Sequence, residues 1–459
     1  MHVHCLCLPV FDIGYQMQRI SSATLYAYLQ PSLSHTMHGH RLFFIRYFAS
    51  QHRCRKSESI ELVNKSYPTD DTTNITPNII SKLGKDLHNR KHHPINLIRQ
   101  RIQEFFYRNY VGRTGNPLFA VFDNISPIVT LTQNFDNHLV PADHPSRHPK
   151  DSYYINRHYM LRSQTTCHTS DLIASGLDRF ITVGDVYRRD TIDRTHYPVF
   201  HQMDVTRLYN SEELFQGSQH GLQLFDHSER DQHKQGVHSV DAVQLLSIDL
   251  KETLSSLALS LFGKDVKYRW VDCYFPFTHP SWELEIEYDG EWMEVLGAGI
   301  LEQQILTNSG ASAKVGWAFG LGLERLAMKL YNIPDVRLFW SEDAGFLSQF
   351  KVNDCHTPIS YKKISKYPAL AQDISFWLDD PEAYSSNDFY DLTRSVGGDL
   401  VEHVEIIDTF VHPKTGRTSH AYRVTYRHMN RNLTTEEINC VQEELRNRVE
   451  EESLGIVRK

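Results

Sequence analysis

Three separated stretches carry side chains suited to phosphate and amino-acid chemistry. The first is Gly316-Trp-Ala-Phe-Gly320-Leu-Gly322-Leu-Glu-Arg325. It opens as a glycine-punctuated apolar run and turns helical: Leu323, Leu326, Ala327 and Leu330 repeat at i, i+3, i+4 and i+7. Arg325 falls off that stripe. Glycines admit a ligand close to the backbone, a helix start favours anions, and a guanidinium grips oxygens in a planar fork. The combination suits a phosphate. Gly320-x-Gly322 lacks the third glycine of a dinucleotide fingerprint, which excludes a Rossmann site.

The second stretch spans residues 180–208. Phe180 to Arg188 and Val199 to Leu208 are strand-like, and a polar loop, Arg189 to Pro198, separates them. The pattern predicts an antiparallel hairpin with a long tip. A period of two puts Phe200, Gln202 and Asp204 on one face, with Arg188 at the first strand's end and His196 in the loop. Such a face offers a guanidinium to a phosphate, a ring to a purine, and an amide and carboxylate to an ammonium.

The third is the acidic hairpin around residue 290. Trp282, Leu284, Ile286 and Tyr288 alternate with three glutamates, Asp289-Gly290 makes the turn, and Glu294 precedes Leu296-Gly-Ala-Gly299. A carboxylate there suits Mg²⁺. Upstream, Phe275 and Phe277 flank Pro276 and face the same way, as plain core or as a grip on a third ring. Residues 161–169 gather small polar side chains around His168 before a helix that begins near Ser170. Cys167 and His168 are sequence neighbours and do not make a nucleophile–base pair by themselves. Thr166 to Thr169 line a pocket or cap the helix equally well.

These stretches need a scaffold of 459 residues, which suggests about three domains. A net charge of −8 excludes nucleic-acid binding by bulk charge and demands a local basic face. Seven scattered cysteines, none in a CxxC, fit a reducing compartment without disulfide framework or structural zinc. No run of about 18 apolar residues predicts a membrane span.

Residues 1–57 carry no acid between Ile13 and Ser57, but hold Arg19, Arg41, Arg46, Arg53, Arg55 and Lys56. This is the pattern of an organelle transit peptide. Residues 58–93 are polar and read as a loosely structured lead-in. Pro94 then opens a helix whose Ile95, Ile98, Ile102, Phe105 and Phe106 share a face, either a dimerisation element or core. A main domain of residues 94–350 follows, with an ordered loop over 133–147 and an amphipathic helix over 240–262. In the 133–147 loop, Asp143 and His144 lack a second cluster at ligand spacing, so the loop is structural rather than metal-binding. A linker, 351–364, leads to a small domain, 365–459. Its pattern is strand (373–378), helix (387–396), strands (404–411, 420–428), helix (434–451) and strand (455–458). That is a ferredoxin-like order, with a capping box at Thr434 and Glu437. Between His403 and Arg431 it bears Lys414, Arg417, Arg423, Arg427 and Arg431 against two acids, Glu405 and Asp408: the local basic face. The fold class is α+β.

The order of the three chemical stretches resembles the motifs of class II aminoacyl-tRNA synthetases. Asn134-Phe-Asp…Pro141-Ala-Asp-His-Pro-Ser-Arg147, Gly184-Asp-Val-Tyr-Arg188-Arg, His196-Tyr-Pro-Val-Phe-His-Gln202, Tyr274-Phe-Pro-Phe-Thr-His-Pro280 and Trp317 to Arg325 look like those of the phenylalanyl-tRNA synthetases. The resemblance runs from about His93 to the C-terminus. The Ser365-Lys-Tyr-Pro…Asp373-Ile-Ser-Phe-Trp377 segment and the basic hairpin resemble the anticodon-binding domain fused onto the mitochondrial members of that family.

The resemblance implies an antiparallel-sheet catalytic domain that uses ATP, with Mg²⁺, to make phenylalanyl-adenylate and then esterifies the terminal ribose of tRNA(Phe). It further implies a monomer in the mitochondrial matrix. ATP would meet Arg188, Thr195, His196, Tyr197, Phe200, Glu294 and Arg325, with Arg188 and Arg325 catalytic on the phosphates and Glu294 holding Mg²⁺. Phenylalanine would meet Thr166, Cys167, His168, Thr169, Gln202, Met203 and Asp204 at its polar end and Phe275, Phe277, Ala318 and Phe319 around its ring. Lys414, Arg417, Arg423, Arg427 and Arg431 would meet tRNA. Position 204 is Asp where the family more often has Glu. A non-catalytic paralogue would have lost Arg188, Glu294 or Arg325, and none is missing. The basic C-terminal domain and the paired Phe275 and Phe277 argue against a biotin-type ligase.

Overall fold

The computed structural model describes residues 58–217, 221–226, 228–288, 290–363, 367–429 and 431–458. The transit-peptide stretch 1–57, Asp289 of the expected turn, and Ser365 and Lys366 at the expected start of the last domain lie outside the described residues.

Residues 58–93 are not a loose lead-in. Strands β1 (Ser59–Leu62) and β2 (Lys65–Pro68) pair antiparallel, and a helix, Pro77–Lys82, is capped by Thr76. Leu62, Ile79 and Leu87 are buried. Long-range polar bonds do much of the fixing. Asn74 Nδ2 donates to Ser152 O (2.9 Å), Asn156 Nδ2 to Pro68 O (2.8 Å), and Arg157 N to Asp70 Oδ2 (2.9 Å). Hydrophobic periodicity carries no trace of such anchors, which is why the polar composition misleads.

The helix Pro94–Asn109 starts at Pro94 and buries Ile95, Ile98, Ile102 and Phe106 against the helices Val240–Phe262 and Leu323–Tyr331. That face is therefore core of this chain. Beyond it come β3 (Ala120–Phe122), then β4 (Ile128–Thr130) and β5 (Tyr159–Leu161), which pair as a small ribbon. β6 (Arg179–Tyr187), β7 (Val199–Tyr209), β8 (Tyr268–Phe275), β9 (Thr278–Tyr288), β10 (Glu291–Leu301) and β11 (Val315–Gly322) join β3 in one seven-stranded sheet. Its order is β3-β6-β7-β11-β10-β9-β8. Every pairing is antiparallel except β3 with β6. Leu246, Leu250, Leu254 and Leu257 of the long helix cover one face, and the other is left for the site.

The last domain folds as β12 (Leu370–Leu378), helix Ser386–Gly397, β13 (Val401–Val411), β14 (Thr418–Tyr426), helix Thr435–Glu451 and β15 (Gly455–Val457). Sheet order β13-β14-β12-β15 is the ferredoxin-like arrangement. Ile374, Phe376, Tyr422 and Val424 point at the two helices, meeting Phe389, Leu392, Ile438 and Leu445. The Thr434–Glu437 capping box is present. Both domains are thus α+β.

The two sheets meet through the β6–β7 loop. Ile192, 3 % exposed, is buried in the small domain's core, and Arg394 donates to Asp190 O (2.8 Å) and Thr191 O (2.6 Å). Arg189 Nε donates to Asp391 Oδ2 (2.6 Å).

Candidate active site

On the open face of the large sheet lies a cavity of about 530 Å³. β7 builds its floor. Its alternation turns Gln202, Asp204 and Thr206 toward the cavity and buries His201, Met203 and Val205. Across the ladder, Gly320 of β11 pairs with Asp204. A Cβ at 320 would collide with Asp204 Oδ1, so this glycine makes room for a carboxylate rather than for a phosphate.

Asp204 is 5 % exposed. Oδ2 accepts from Thr166 Oγ1, and Oδ1 has no hydrogen-bond partner among the described residues. Burial pushes its carboxyl up to about 6, opposed by the Thr166 hydrogen bond, the nearby Thr165 hydroxyl and the charge of Arg188. A buried acceptor without a donor beside a ligand cavity is a seat for a cation. Gln202 Oε1 is held by Thr165 N (3.2 Å).

Arg188 closes one side. Nε donates to Ser163 O (2.7 Å), which leaves both terminal nitrogens for a ligand, and the guanidinium lies 5.2 Å from the centre of the Phe200 ring. Phe275 and Phe277 close another. Their rings are nearly parallel, 6° apart in tilt with centroids 5.7 Å apart, and Gly297 lies beneath Phe275. Ala318 completes that apolar end, whereas Phe319, next to it on β11, borders the cavity but turns its ring to the opposite face of the sheet, stacked 5.9 Å from the Phe106 ring.

At the rim, Arg325 Nη1 meets Glu294 Oε2 at 3.1 Å. Arg325 faces outward because its neighbour Glu324 is tied inward: His201 N donates to Glu324 Oε2 (2.8 Å), and His201 Nδ1 lies 2.6 Å from Oε1. Burial raises the Glu283 carboxyl, with Glu294 and Glu285 adding repulsion. Crowded carboxylates of this kind fit a hard divalent cation.

Several expected residues stand elsewhere. Cys167 and Met203 are fully buried in the walls. His168 faces inward, 3.0 Å from Arg162 Nη1. Burial and then Arg162 lower its imidazole to about 3, so it is a neutral acceptor there. The 3₁₀ turn Thr165–His168 explains the split: Thr166 and Thr169, three apart, reach the cavity, and the residues between them turn away. Thr195, His196 and Tyr197 also miss the cavity. Thr195 and His196 fold onto Asp193, with Thr195 Oγ1 at 2.8 Å and His196 Nδ1 at 2.6 Å. Tyr197 Oη donates to Asp399 Oδ1 (2.8 Å) of the small domain.

Sequence reasoning passed over Gln164, Ser163 and Val140, which line the cavity. It also passed over Arg162, 1 % exposed, which organises the wall. Arg162 Nη2 donates to Asp185 Oδ1 (2.7 Å), Nε to Asp185 O (2.6 Å) and Nη1 to Ile125 O (3.0 Å). Gly184 passes so close that a Cβ would strike the Arg162 guanidinium.

The five basic residues of the small domain divide. Lys414 and Arg417 are exposed at the β13–β14 turn. Arg423 pairs with Asp373 (2.8 and 2.9 Å) and Arg431 with Glu437 (2.9 and 2.8 Å). Arg427 Nε donates to Glu402, which also holds Arg194 of the β6–β7 loop (2.9 Å), so Arg427 braces the domain contact instead of the basic face. On the open sheet face Trp377 lies 6.0 Å from Phe410, with Arg417 and Arg458 at 5.4 and 4.9 Å from its ring.

The family description "tRNA synthetases class II core domain (F)" matches residues 77–222 and 227–350, and "Ferredoxin-fold anticodon binding domain" matches 365–458. The chain is 53 % identical over 428 residues to the mitochondrial phenylalanine–tRNA ligase of Mus musculus, covering 92 % of this chain and 95 % of that one. It is 49 % identical to the probable mitochondrial phenylalanine–tRNA ligase of Drosophila melanogaster, covering 88 % and 95 %. With the phenylalanine–tRNA ligase alpha subunit of Psychrobacter arcticus it shares 33 % identity over 267 residues, covering 56 % and 63 %.

Proposed function

The chain belongs to the phenylalanine–tRNA ligase family of class II aminoacyl-tRNA synthetases, and from that premise we infer how its cavity works. The enzyme activates L-phenylalanine with ATP and transfers it to tRNA(Phe) in mitochondrial translation. One observation carries the assignment of the cavity. A buried carboxylate oxygen at Asp204 without a partner among the described residues and an apolar wall of Phe275 and Phe277 share one space with the terminal nitrogens of Arg188.

In this reading Asp204, with Thr166 and Gln202, holds the substrate ammonium, and the phenyl ring enters beside Phe275, Phe277 and Ala318. Thr169 and Gln164 complete the polar rim. The substrate carboxylate then faces Arg188. Its oxygen attacks the α-phosphorus of ATP, the bond to the β-phosphate oxygen breaks, and pyrophosphate leaves with that electron pair. Arg188 stabilises the charge that grows on the α-phosphate, and Arg325 holds the outer phosphates. In the second step the ribose 2′-OH attacks the acyl carbon and AMP departs. Phe200 offers its ring to adenine once a phosphate draws Arg188 away from it. No side chain acts as nucleophile.

Glu294 and Glu283 would hold Mg²⁺, which supplies countercharge to the phosphates. The crowding that raises Glu283 supports this choice. On the small domain, Trp377 and Phe410, flanked by Arg417, Arg458 and Lys414, form a stacking surface for an unpaired base. The enzyme acts as a monomer in the mitochondrial matrix, with the acid-free stretch 13–57 as its address. Among the described residues no helix is long and apolar enough to cross a membrane.

The experiment is aminoacylation of tRNA(Phe) transcript by the parent, Asp204→Asn and Arg188→Ala. The expected result is a raised KM for phenylalanine in the first and a collapsed kcat in the second. Unchanged kinetics in both would overturn the assignment of this cavity.

A further inference from the structure

On the side of the catalytic domain formed by the helix Pro94–Asn109, Glu104 meets the adjacent pair Cys355 and His356. The pair sits in a turn held by Asp354. His356 N donates to Asp354 Oδ1 (2.9 Å) and Thr357 N to Asp354 O (3.1 Å). Cys355 is 5 % exposed and packs into the main core, and its Sγ lies 3.4 Å from Glu104 Oε1. His356 Nε2 lies 3.1 Å from Glu104 Oε2. One thiol, one imidazole and one carboxylate thus converge, with all three ligand atoms within 4.8 Å of one another.

The chemistry of this set is that of zinc. Zn–S of about 2.3 Å and Zn–N or Zn–O of about 2.0 Å in a tetrahedron set ligand-to-ligand edges of about 3.3–3.5 Å. The two measured contacts, 3.4 and 3.1 Å, reach different oxygens of the Glu104 carboxylate. One of those oxygens must therefore swing between sulfur and nitrogen to share an ion with them, and the 4.8 Å span of the three ligand atoms leaves that a small closure. Softness agrees as well. A thiolate with an imidazole selects zinc-like ions and disfavours Mg²⁺. Charge balances, because a dication joined by one thiolate and one carboxylate is neutral, which suits a half-buried place. The cysteine spacing that argues against a zinc framework does not bear on this cluster, since Glu104 and Cys355 are 251 residues apart in the chain.

We propose that Glu104, Cys355 and His356 bind one Zn²⁺, with water in the fourth position, and so pin the start of the inter-domain connection to the helix Pro94–Asn109. On binding, the Cys355 thiol loses its proton to solvent and its sulfur lone pair goes to the metal. The Glu104 carboxylate exchanges its 2.7 Å contact with Arg108, an exposed side chain, for the ion. This site takes no part in the adenylation chemistry.

Full-length protein bearing Cys5→Ser, Cys7→Ser and Cys54→Ser, stripped with a chelator, is titrated with Co²⁺ as an optical probe. The expected result is a thiolate-to-cobalt absorption band that saturates near one equivalent, disappears on adding Zn²⁺, and is absent in Cys355→Ser. Glu104→Gln and His356→Ala alter half-exposed side chains and leave the core filled. Each should weaken Co²⁺ binding by more than the about tenfold that loss of an outer-shell partner costs. No band, a band that survives Cys355→Ser, or one indifferent to both half-exposed variants would overturn the site.

Discussion

The guanidinium of Arg325 and the carboxylate of Glu294 lie 3.1 Å apart at the rim of the cavity, both about half exposed. An exposed ion pair of this kind contributes only about 0–1 kcal/mol to stability. Its partners are therefore free to exchange for a polyphosphate and a divalent cation. Arg325→Ala should leave the thermal midpoint within a degree or two and raise the KM for ATP. The rate of pyrophosphate exchange should fall by about 10²–10³-fold, as when one preorganised charge stabiliser is removed. Parallel exchange assays and melting curves check this. A large loss of stability with normal ATP kinetics would make the pair structural.

Asp204 links function to acidity. Its carboxyl is raised to about 6 by burial, and only the ionised form attracts an ammonium. The KM for phenylalanine should climb as pH falls through about 6, with the KM for ATP flat. The stability sign is opposite. A folded pKa above the unfolded 3.8 means the folded chain binds this proton more tightly. That contribution is complete below the unfolded value and is lost as pH rises through about 6. Asp204→Asn removes a buried charge costing on the order of 2–3 kcal/mol at pH 7. The variant should thus unfold at equal or higher denaturant concentration than the parent at pH 7 and lose that advantage near pH 4.

Gly297→Ala tests the aromatic slot. A Cβ at 297 would sit 2.6 Å from Phe275 Cζ, so the ring must move into the space assigned to the substrate. Overpacking of this size costs about 1–3 kcal/mol. Phenylalanine KM should rise by about 10–100-fold, the corresponding factor, while ATP KM stays constant. Steady-state exchange at varied phenylalanine reads it directly.

Much of this site is legible in the sequence, and the failures have local causes. Alternation in β7 identifies Gln202 and Asp204, and the same alternation would have struck Met203 from the set. The turn at 165–168 is read too broadly, because a helical interval of three, from Thr166 to Thr169, decides which side chains face the cavity and leaves out Cys167 and His168. Spacing puts Phe275 and Phe277 on one side but leaves core and pocket equally open; the family resemblance implies the pocket, and both residues line the cavity. Arg162 has no such signature: its partners Asp185 and Ile125 lie 23 and 37 residues away in the chain. The β6–β7 loop reads as a nucleotide-binding tip, yet its Ile192 and Tyr197 are claimed by a domain that begins more than 160 residues later. Periodicity describes one element at a time, and contacts between domains are invisible to it. The split βαβ of the last domain is legible because each of its elements carries its own pattern.

Asp391 holds the two domains together from a buried place. It accepts from Tyr153 Oη (2.8 Å) and Arg189 Nε (2.6 Å). Asp391→Ala leaves both donors short of an acceptor, though Asp388 still accepts from Arg189 Nη2 (2.9 Å). The loss should fall toward the lower end of about 3–5 kcal/mol, the range for breaking a buried pair. Urea unfolding at pH 7 measures it, and a change under 1 kcal/mol would mean that the contact is dispensable.

The most direct test of the whole account is ATP–pyrophosphate exchange with each of the twenty amino acids. The cavity predicts strong exchange with phenylalanine. It also predicts a weak signal with tyrosine, because an apolar slot rejects one added hydroxyl by only about 10²-fold. Exchange with no amino acid from folded protein, or a stronger signal from an aliphatic or charged one, would contradict it.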